Sequence, residues 1–505
     1  WELVFGRSGE EALTEKFVSA KLSDDLTKFL KLYLRDVKSP LAVRSSGLLE
    51  DMQYRSLAGM YATYMVPNVS GRLSDRVRTV SQAIKLVYAS MFSREAKSTA
   101  EALSQRLEDE KMGVIIQELV GQRHGDRFYP TFSGVAHSLN YYPVSYMKRE
   151  EGIVYVALGL GRTIVEGGKA LRFSPKYPAI LPQFYSTDAL LENSQTVFYA
   201  LNLTDSADMV SVGEEGNLTR YHLKDAEEDG TLRHVASVLT PEDDIVRDSL
   251  NYPGIRVVTF ANILKGNTFP LARTVSGLLE LGHKALGCPV EIEFAVNIFS
   301  DSSRKPEFCL LQIRPMAVDR VERGLPEEGL ERERLICRSR LSLGNGRIEG
   351  ISDIICVKPE IFDPQKTVAM ARQIGEFNRQ FPSGSGYLLI GPGRWGSADP
   401  WLGIPVKWDQ ISRARVIVEV GTEELRIDPS FGSHFFQNVT SFRIGYLTVG
   451  HRSRDDFVDW EWLNDQPVKE ESRLVRWIAL TEPMDIWIDG QTGTGMVLKP
   501  AQTTP

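Results

Sequence analysis

The sequence predicts an α+β protein of two domains, a larger N-terminal one and a smaller mixed α/β C-terminal one. Three observations point there. Strand-length apolar runs and helix-period stretches share residues 10–316. A charged, glycine-containing connector, DRVERGLPEEGLERERL, then occupies 319–335. Beyond it the aromatic usage changes, with seven of the eight tryptophans from Trp395 onward. The expected units are 1–320, a linker 321–335, and 336–505, within the two to four domains that 505 residues allow.

The elements follow in order. Residues 10–37 repeat apolar positions with helical spacing (Leu13, Phe17, Leu22, Leu26, Phe29, Leu30, Tyr33), so one or two helices precede the first strand. PLAVRSS at 40–46 is a short strand entering a polar turn. Val77, Val80, Ile84, Val87 and Met91 mark a long amphipathic helix over 74–93. MGVIIQELVG at 112–121 is expected as a buried strand, and GIVYVALGLG at 152–161 as another. VEIEFAVNIF (290–299) and EFCLLQIRPM (307–316) form a strand pair around SDSSRKP. In the second unit a hairpin is expected around Gly344-Asn345-Gly346. A helix is then opened by Asp363 as N-cap and Pro364, with Val368, Ala371 and Ile374 on its apolar face.

Composition narrows the function. The net charge of -7 excludes a strongly basic nucleic-acid binder, which needs a cationic field to displace counterions. No apolar run approaches the ~20 residues of a membrane span, and no signal peptide opens the chain. Cys288, Cys309, Cys337 and Cys356 are not in C-x-x-C spacing and no histidines cluster with them, so a reducing cytoplasm is the expected compartment. The chain opens on Trp1 inside a charged, helix-like stretch, which suggests a fragment or a processed form.

Three segments carry chemistry. In LAVRSSGLLEDMQYRSLAGMYATYM (41–65), Arg44 can fork onto phosphate oxygens, while Ser45, Ser46, Gly59 and Thr63 offer hydroxyl and backbone donors. The alternative is a surface loop with Arg44 paired to Glu50 or Asp51. In VIIQELVG, a strand followed by a loop, with Glu118 and Leu119 at the turn, can present backbone groups to a nucleobase, or be interior strand only. In the strand pair, Glu291 and Glu293 face one side, as do Gln312 and Arg314. Glu293 with Gln312 offers hard oxygens to magnesium, and Arg314 a charge for phosphates. The alternative is a Glu–Arg cross-strand pair on a solvated face, worth under about 1 kcal/mol.

Taken in order, LAVRSS…ED…AG…T, VIIQELV, FSGVAHS, ALGLGRTIVEGG and VEIEF…LLQIRP resemble the nucleotide-binding domain of the phosphoenolpyruvate synthase and pyruvate phosphate dikinase family, over residues 38–317. The resemblance implies an ATP-grasp-like fold and ATP with Mg2+ as cofactors. It implies that Arg44 contacts the ATP phosphates, that Gly59 to Thr63 fold over them, and that Gln117 to Leu119 meet the adenine. Glu293 and Gln312 match the metal-binding acid and amide, Arg314 the arginine beside the transferred phosphates, and Glu291 a position acidic in some members. The family's usual Gly-Gly-Lys segment does not precede Arg44, and its phosphohistidine domain and pyruvate-binding barrel are not recognisable.

The C-terminal unit offers less. His434, after Gly432-Ser433, echoes the family's acceptor histidine, with a structural histidine as the alternative. Trp395, Trp401 and Trp408 form either a stacking platform or core, and Arg394 in GPGRWGS either an anion contact or none. The leading expectation is an ATP-dependent phosphotransferase of the dikinase kind acting on a histidine or a small-molecule acceptor. A non-catalytic nucleotide-binding module and a carbohydrate or antibiotic phosphotransferase are the rivals. The expected partner is a small molecule rather than nucleic acid or membrane, and the expected assembly a homodimer.

Overall fold

The computed structural model describes residues 10–500 apart from 51–58, 103–104, 142, 144–146, 205–215, 241–244, 302, 317–330, 383–384, 398, 424, 426, 428–434, 436–438, 440–443, 452–454 and 491. Two helices, Glu10–Ser19 and Asp24–Asp36, precede the first strand, as the periodicity predicts. The second is capped by Ser23, whose hydroxyl accepts from the Leu26 N–H, and it buries Leu30 and Leu34, one turn apart.

A three-stranded antiparallel sheet follows, in the order Thr63–Val66, Leu41–Gly47, Met112–Glu118. Its register fixes two faces. Leu41, Val43, Tyr64 and Val66 pack against Val77, Val80, Ile84 and Val87 of the helix Leu73–Ser90. Each such side chain contributes about 1.5–3 kcal/mol of transfer free energy. The expectation of a buried strand at 112–121 needs correction. Met112–Glu118 is a sheet edge, Val114 and Ile116 only partly buried, and Ile115 is 45% exposed.

The second lobe is built on a five-stranded antiparallel sheet, ordered Glu307–Pro315, Val290–Asn297, Phe132–His137, Ile153–Leu158, Leu171–Phe173. One face carries Phe132, Val154, Ile292 and Phe294, which share a core with Leu271, Val275 and Leu279 of the helix Leu271–Leu286. A four-stranded sheet (Leu218–His222, Val197–Asn202, Arg127–Tyr129, Gln122–His124) joins the same core through Phe128 and Phe198. The opposite face of the five-stranded sheet carries the site at its Glu291–Glu293 edge and a small apolar cluster of Val135, Ile153, Tyr155, Ala157 and Ile164 beyond it.

The C-terminal part is one large mixed sheet. Its centre is parallel: Asn345–Val357, Tyr387–Pro392, Ala414–Val420 and Gly445–Val449 lie side by side. Tyr387–Pro392 is buried at all six positions, as a parallel strand covered on both faces must be. Antiparallel strands complete it, with Val475–Asp489 against Asn345–Val357. The hairpin expected at Gly344-Asn345-Gly346 does not form. Leu341–Leu343 pairs with Gly445–Val449, whereas Asn345–Val357 pairs with Val475–Asp489, so the chain there changes partners within the sheet. The predicted helix is present as Thr367–Asn378 after a 3-10 turn capped by Asp363. Its apolar face is Met370, Ala371, Ile374 and Phe377, and Val368 is 59% exposed. Of the 321–335 linker, only its last residues are described, with Leu335 already starting the strand Leu335–Ser339.

The tryptophans divide. Trp395 is 1% and Trp408 7% exposed; both are core, Trp395 donating its indole N–H to Val418 O at 3.1 Å. Trp401 is 69% exposed. The glycines of GPGRWGS explain that loop. Gly393 and Gly396 have φ of +80° and +75°, and a Cβ on Gly396 would lie 2.2 Å from the Phe435 ring. Glu419, fully buried, anchors the loop by accepting from the Trp395 N–H (2.9 Å) and the Tyr446 hydroxyl (2.5 Å). All four cysteines are free. Among the described residues no helix is long and apolar enough to cross a membrane.

Candidate functional site

The first lobe supplies one wall. Arg44 is in register with Thr63 on one side and Ile115 on the other. Two residues along, Ala42 stands between Met65 and Gln117. Directly opposed residues of an antiparallel pair share a face, so Arg44, Thr63 and Gln117 lie together, on the side away from the helical core. Ser45 and Glu118 fall on the other side. The Ser45 hydroxyl donates to buried Glu50 at 2.6 Å, and Glu118 accepts from the Ser39 hydroxyl at 2.5 Å. Leu119 donates its N–H to Pro40 O and packs its side chain against the second lobe's core, so it joins the two lobes. Gly59 is an exposed turn glycine at φ +70°, and 51–58 lie outside the described residues.

The second lobe supplies the other wall. Glu293 is in register with Gln312, and Glu291 with Arg314. The register extends across the sheet, so that Glu293, Val135, Tyr155 and Arg172 form one row. Arg314 Nε donates to Glu291 Oε1 and Nη2 to Glu293 Oε1, each at 2.7 Å. The second Glu291 oxygen lies 2.7 Å from His137 Nε2. The Glu–Arg pair thus exists, but on a buried face: Glu291 is 3% and Arg314 8% exposed.

Electrostatics follow from that burial. Burial alone would raise the Glu291 pKa, but the Arg314 guanidinium and His137 outweigh it and hold it well below the carboxylate range. Burial would lower the Arg314 pKa; the Glu291 and Glu293 carboxylates reverse this and keep it charged. Tyr155 is pushed up by burial, against the pull of Arg172.

The two walls meet. Arg44 Nη2 donates to Gln312 Oε1 at 2.5 Å, across 268 residues of sequence. Arg44, Gln312, Glu293 and Arg314 therefore form a continuous line of charge and amide, with Thr63 beside it. Both Glu291 oxygens, one Glu293 oxygen and the Gln312 amide oxygen are engaged by Arg314, His137 and Arg44, so a cation here would use the second Glu293 oxygen and would reach Gln312 only once Arg44 turns away from it. Among the described residues no three His, Cys, Asp or Glu side chains cluster as an all-protein metal cage. A magnesium ion needs none, since one or two protein oxygens with phosphates and water complete its octahedron.

Comparison with known proteins identifies the family of the chain. The family described as pyruvate phosphate dikinase, AMP/ATP-binding domain, matches residues 6–334. The chain belongs to this family. A Bacillus subtilis protein described as the uncharacterized phosphotransferase YvkC is 31% identical over 150 residues, 30% of this chain and 16% of that protein. The phosphoenolpyruvate synthase of Aeropyrum pernix is 32% identical over 180 residues, 33% of this chain and 20% of that enzyme. The chain thus matches a fifth or less of the length of these curated relatives. As a member of the dikinase AMP/ATP-binding family, it carries the nucleotide-binding domain of ATP-dependent phosphotransferases.

Sequence reasoning missed His137 and Ile115. His137 ends the strand in FSGVAHS two residues after Val135, and strand periodicity alone would have put it on the acidic face. Ile115 was read as interior because edge and centre strands look alike in a short apolar run. His434 lies outside the described residues.

Proposed function

We propose that this dikinase-family chain binds Mg-ATP in an ATP-grasp manner between the two walls and transfers a phosphoryl or pyrophosphoryl group to an acceptor. The observation that carries this reading is the Arg44–Gln312 contact, which brings the arginine of one lobe against the amide beside Glu293 and Arg314 of the other. Arg44 forks onto phosphate oxygens from one side and Arg314 faces them from the other. Glu293, and Gln312 once Arg44 turns from its amide oxygen to phosphate, would hold the metal, which would supply charge neutralisation to the phosphates. Glu291 and His137 take no phosphate; they hold the Arg314 fork in place. In transfer, the acceptor's lone pair forms the new bond to phosphorus, and the bridging P–O bond breaks toward the departing nucleotide. Preorganised charge on both walls stabilises the spreading negative charge.

The test incubates the pure chain with Mg-ATP and resolves the nucleotides by ion-exchange chromatography over hours. AMP with phosphate indicates dikinase-type transfer, ADP alone a simple kinase or hydrolysis. Arg44→Ala and Glu293→Ala should each reduce turnover by at least about 10²-fold. Unchanged turnover in either variant refutes the site, and unchanged ATP with retained binding favours the nucleotide-binding module.

A further inference from the structure

One cavity that the phosphate site leaves unused lies where the second lobe meets the C-terminal sheet. A cavity of about 540 Å3 is walled by the loop after Ile153–Leu158, by the strands Leu171–Phe173 and Val197–Asn202, and by the GPGRWGS loop with Trp401. The two parts are tied at its edge, where Arg394 Nη1 donates to Gly167 O at 3.0 Å. That volume suits a small-molecule ligand.

The cavity is close to the phosphate site yet distinct from it. Tyr155 and Arg172, both in its wall, continue the row that begins at Glu293. They stand two and three strands away, which at the usual strand spacing is about 10 and 14 Å along one face.

The lining points to an anion. Lys169, Arg172, Arg220 and Arg394 contribute cations, against the carboxylates Glu166, Glu192 and Asp399. Glu166 is already matched from outside the lining, by Arg162 at 2.6 Å, and accepts from the Tyr199 hydroxyl at 2.9 Å. Among the described residues Lys169 and Arg220 form no ion pair. The wall also holds Thr163, 7% exposed, whose buried hydroxyl has no hydrogen-bond partner. Two aromatic side chains stand exposed in the lining. Trp401 from the C-terminal part and Tyr185 from the second lobe are 69% and 67% exposed. Large aromatics left this exposed beside a cationic cavity offer flat apolar faces for stacking.

We infer that this cavity binds a small ring compound carrying phosphate, with the phosphate on Lys169 and Arg220 and the ring against Trp401. The shared chemistry belongs to a sugar phosphate or a nucleoside monophosphate. The inference goes beyond the Mg-ATP reading and stands without it, because the ligand is tested with no ATP present.

The experiment titrates the full chain by calorimetry with glucose 6-phosphate and, separately, with AMP. At least one binds the wild type. Its affinity falls at least tenfold in Lys169→Ala/Arg220→Ala and several-fold in Trp401→Ala, while Mg-ATP affinity in both variants stays within twofold of wild type. Binding of glucose 6-phosphate alone names a sugar phosphate as the source, and of AMP alone a nucleotide. Failure of both probes to bind overturns the inference. So does binding that survives the cavity variants and disappears in Arg44→Ala, since that ligand occupies the ATP site. Mg-ATP titration of Glu293→Ala against wild type tests the nucleotide reading separately.

Discussion

Replacing Glu291 with leucine should destabilise the second lobe far more than an ordinary ion pair would. The carboxylate lies between Arg314 and His137, each at 2.7 Å, and is 3% exposed. Two unit charges about 4 Å apart attract by about 4 kcal/mol at an effective dielectric of 20. Removing one partner of a buried pair leaves the other charge uncompensated, at about 3–5 kcal/mol. Arg314 keeps Glu293, so the lower half of that range, about 3–4 kcal/mol, is expected. Native-state hydrogen exchange at the amides of Val290–Asn297 reads this locally, without assuming one transition for a chain of several cores. At about 1.4 kcal/mol per decade, protection should fall by roughly 2–3 decades. Glu291→Leu/Arg314→Met removes both charges and should lose less than the single variant. A single-variant loss under about 1 kcal/mol, the value for exposed pairs, would refute the reasoning. So would a double variant as unstable as the sum of the singles.

Other outcomes are equally specific. Because the folded-state Glu291 pKa is depressed from 4.5, its contribution is present above that pH and lost as pH falls below it, so strand exchange should accelerate selectively under acid and Glu291→Leu should abolish that acceleration. Burial and the Arg233 guanidinium hold half-buried His234 at about 4 against an ordinary 6.5. The unfolded chain then takes up the proton first, so stability is lost as pH falls from 6.5 to 4, by about 1–2 kcal/mol after solvent screening; His234→Gln should flatten this dependence in thermal unfolding. Glu419→Ala removes the acceptor of the Trp395 N–H and of the Tyr446 hydroxyl in the C-terminal core and should lower the urea midpoint of that part by about 2–5 kcal/mol equivalent; a loss below 1 would mean these donors are satisfied elsewhere. Chelation of magnesium should stop nucleotide turnover and leave the far-UV circular dichroism unchanged, because no all-protein metal cage is found among the described residues.

What was legible in the sequence was what periodicity encodes. The strand Val290–Asn297 and the helix Leu73–Ser90 repeat apolar residues at their own period, and the period-two placement of Glu291, Glu293, Gln312 and Arg314 put them on one face. Depth was not legible. Alternating Glu and Ile on a strand fits either a solvated face or a buried ionic one, and only the opposing lobe decides between them. Nor was partner choice: a Gly-Asn-Gly turn announces a hairpin, but Leu341–Leu343 finds a better surface on Gly445–Val449. The Trp395 and Trp401 side chains stand six residues apart in one glycine-rich stretch, and nothing local separates the one that fills the core from the one at the cavity rim.

The span between Arg44 and Gln312 also dictates when the site can exist. Closing a loop of 268 residues carries a chain-entropy term of about 5 kcal/mol, which the contact itself cannot supply. Packing of both lobes must meet that term first. During synthesis Arg44 leaves the ribosome long before Gln312 is made, and every intervening strand must be in place before the two side chains meet. Nucleotide affinity should therefore be the last property the two lobes acquire, appearing abruptly once the strand ending at Pro315 has emerged and before the C-terminal sheet is made.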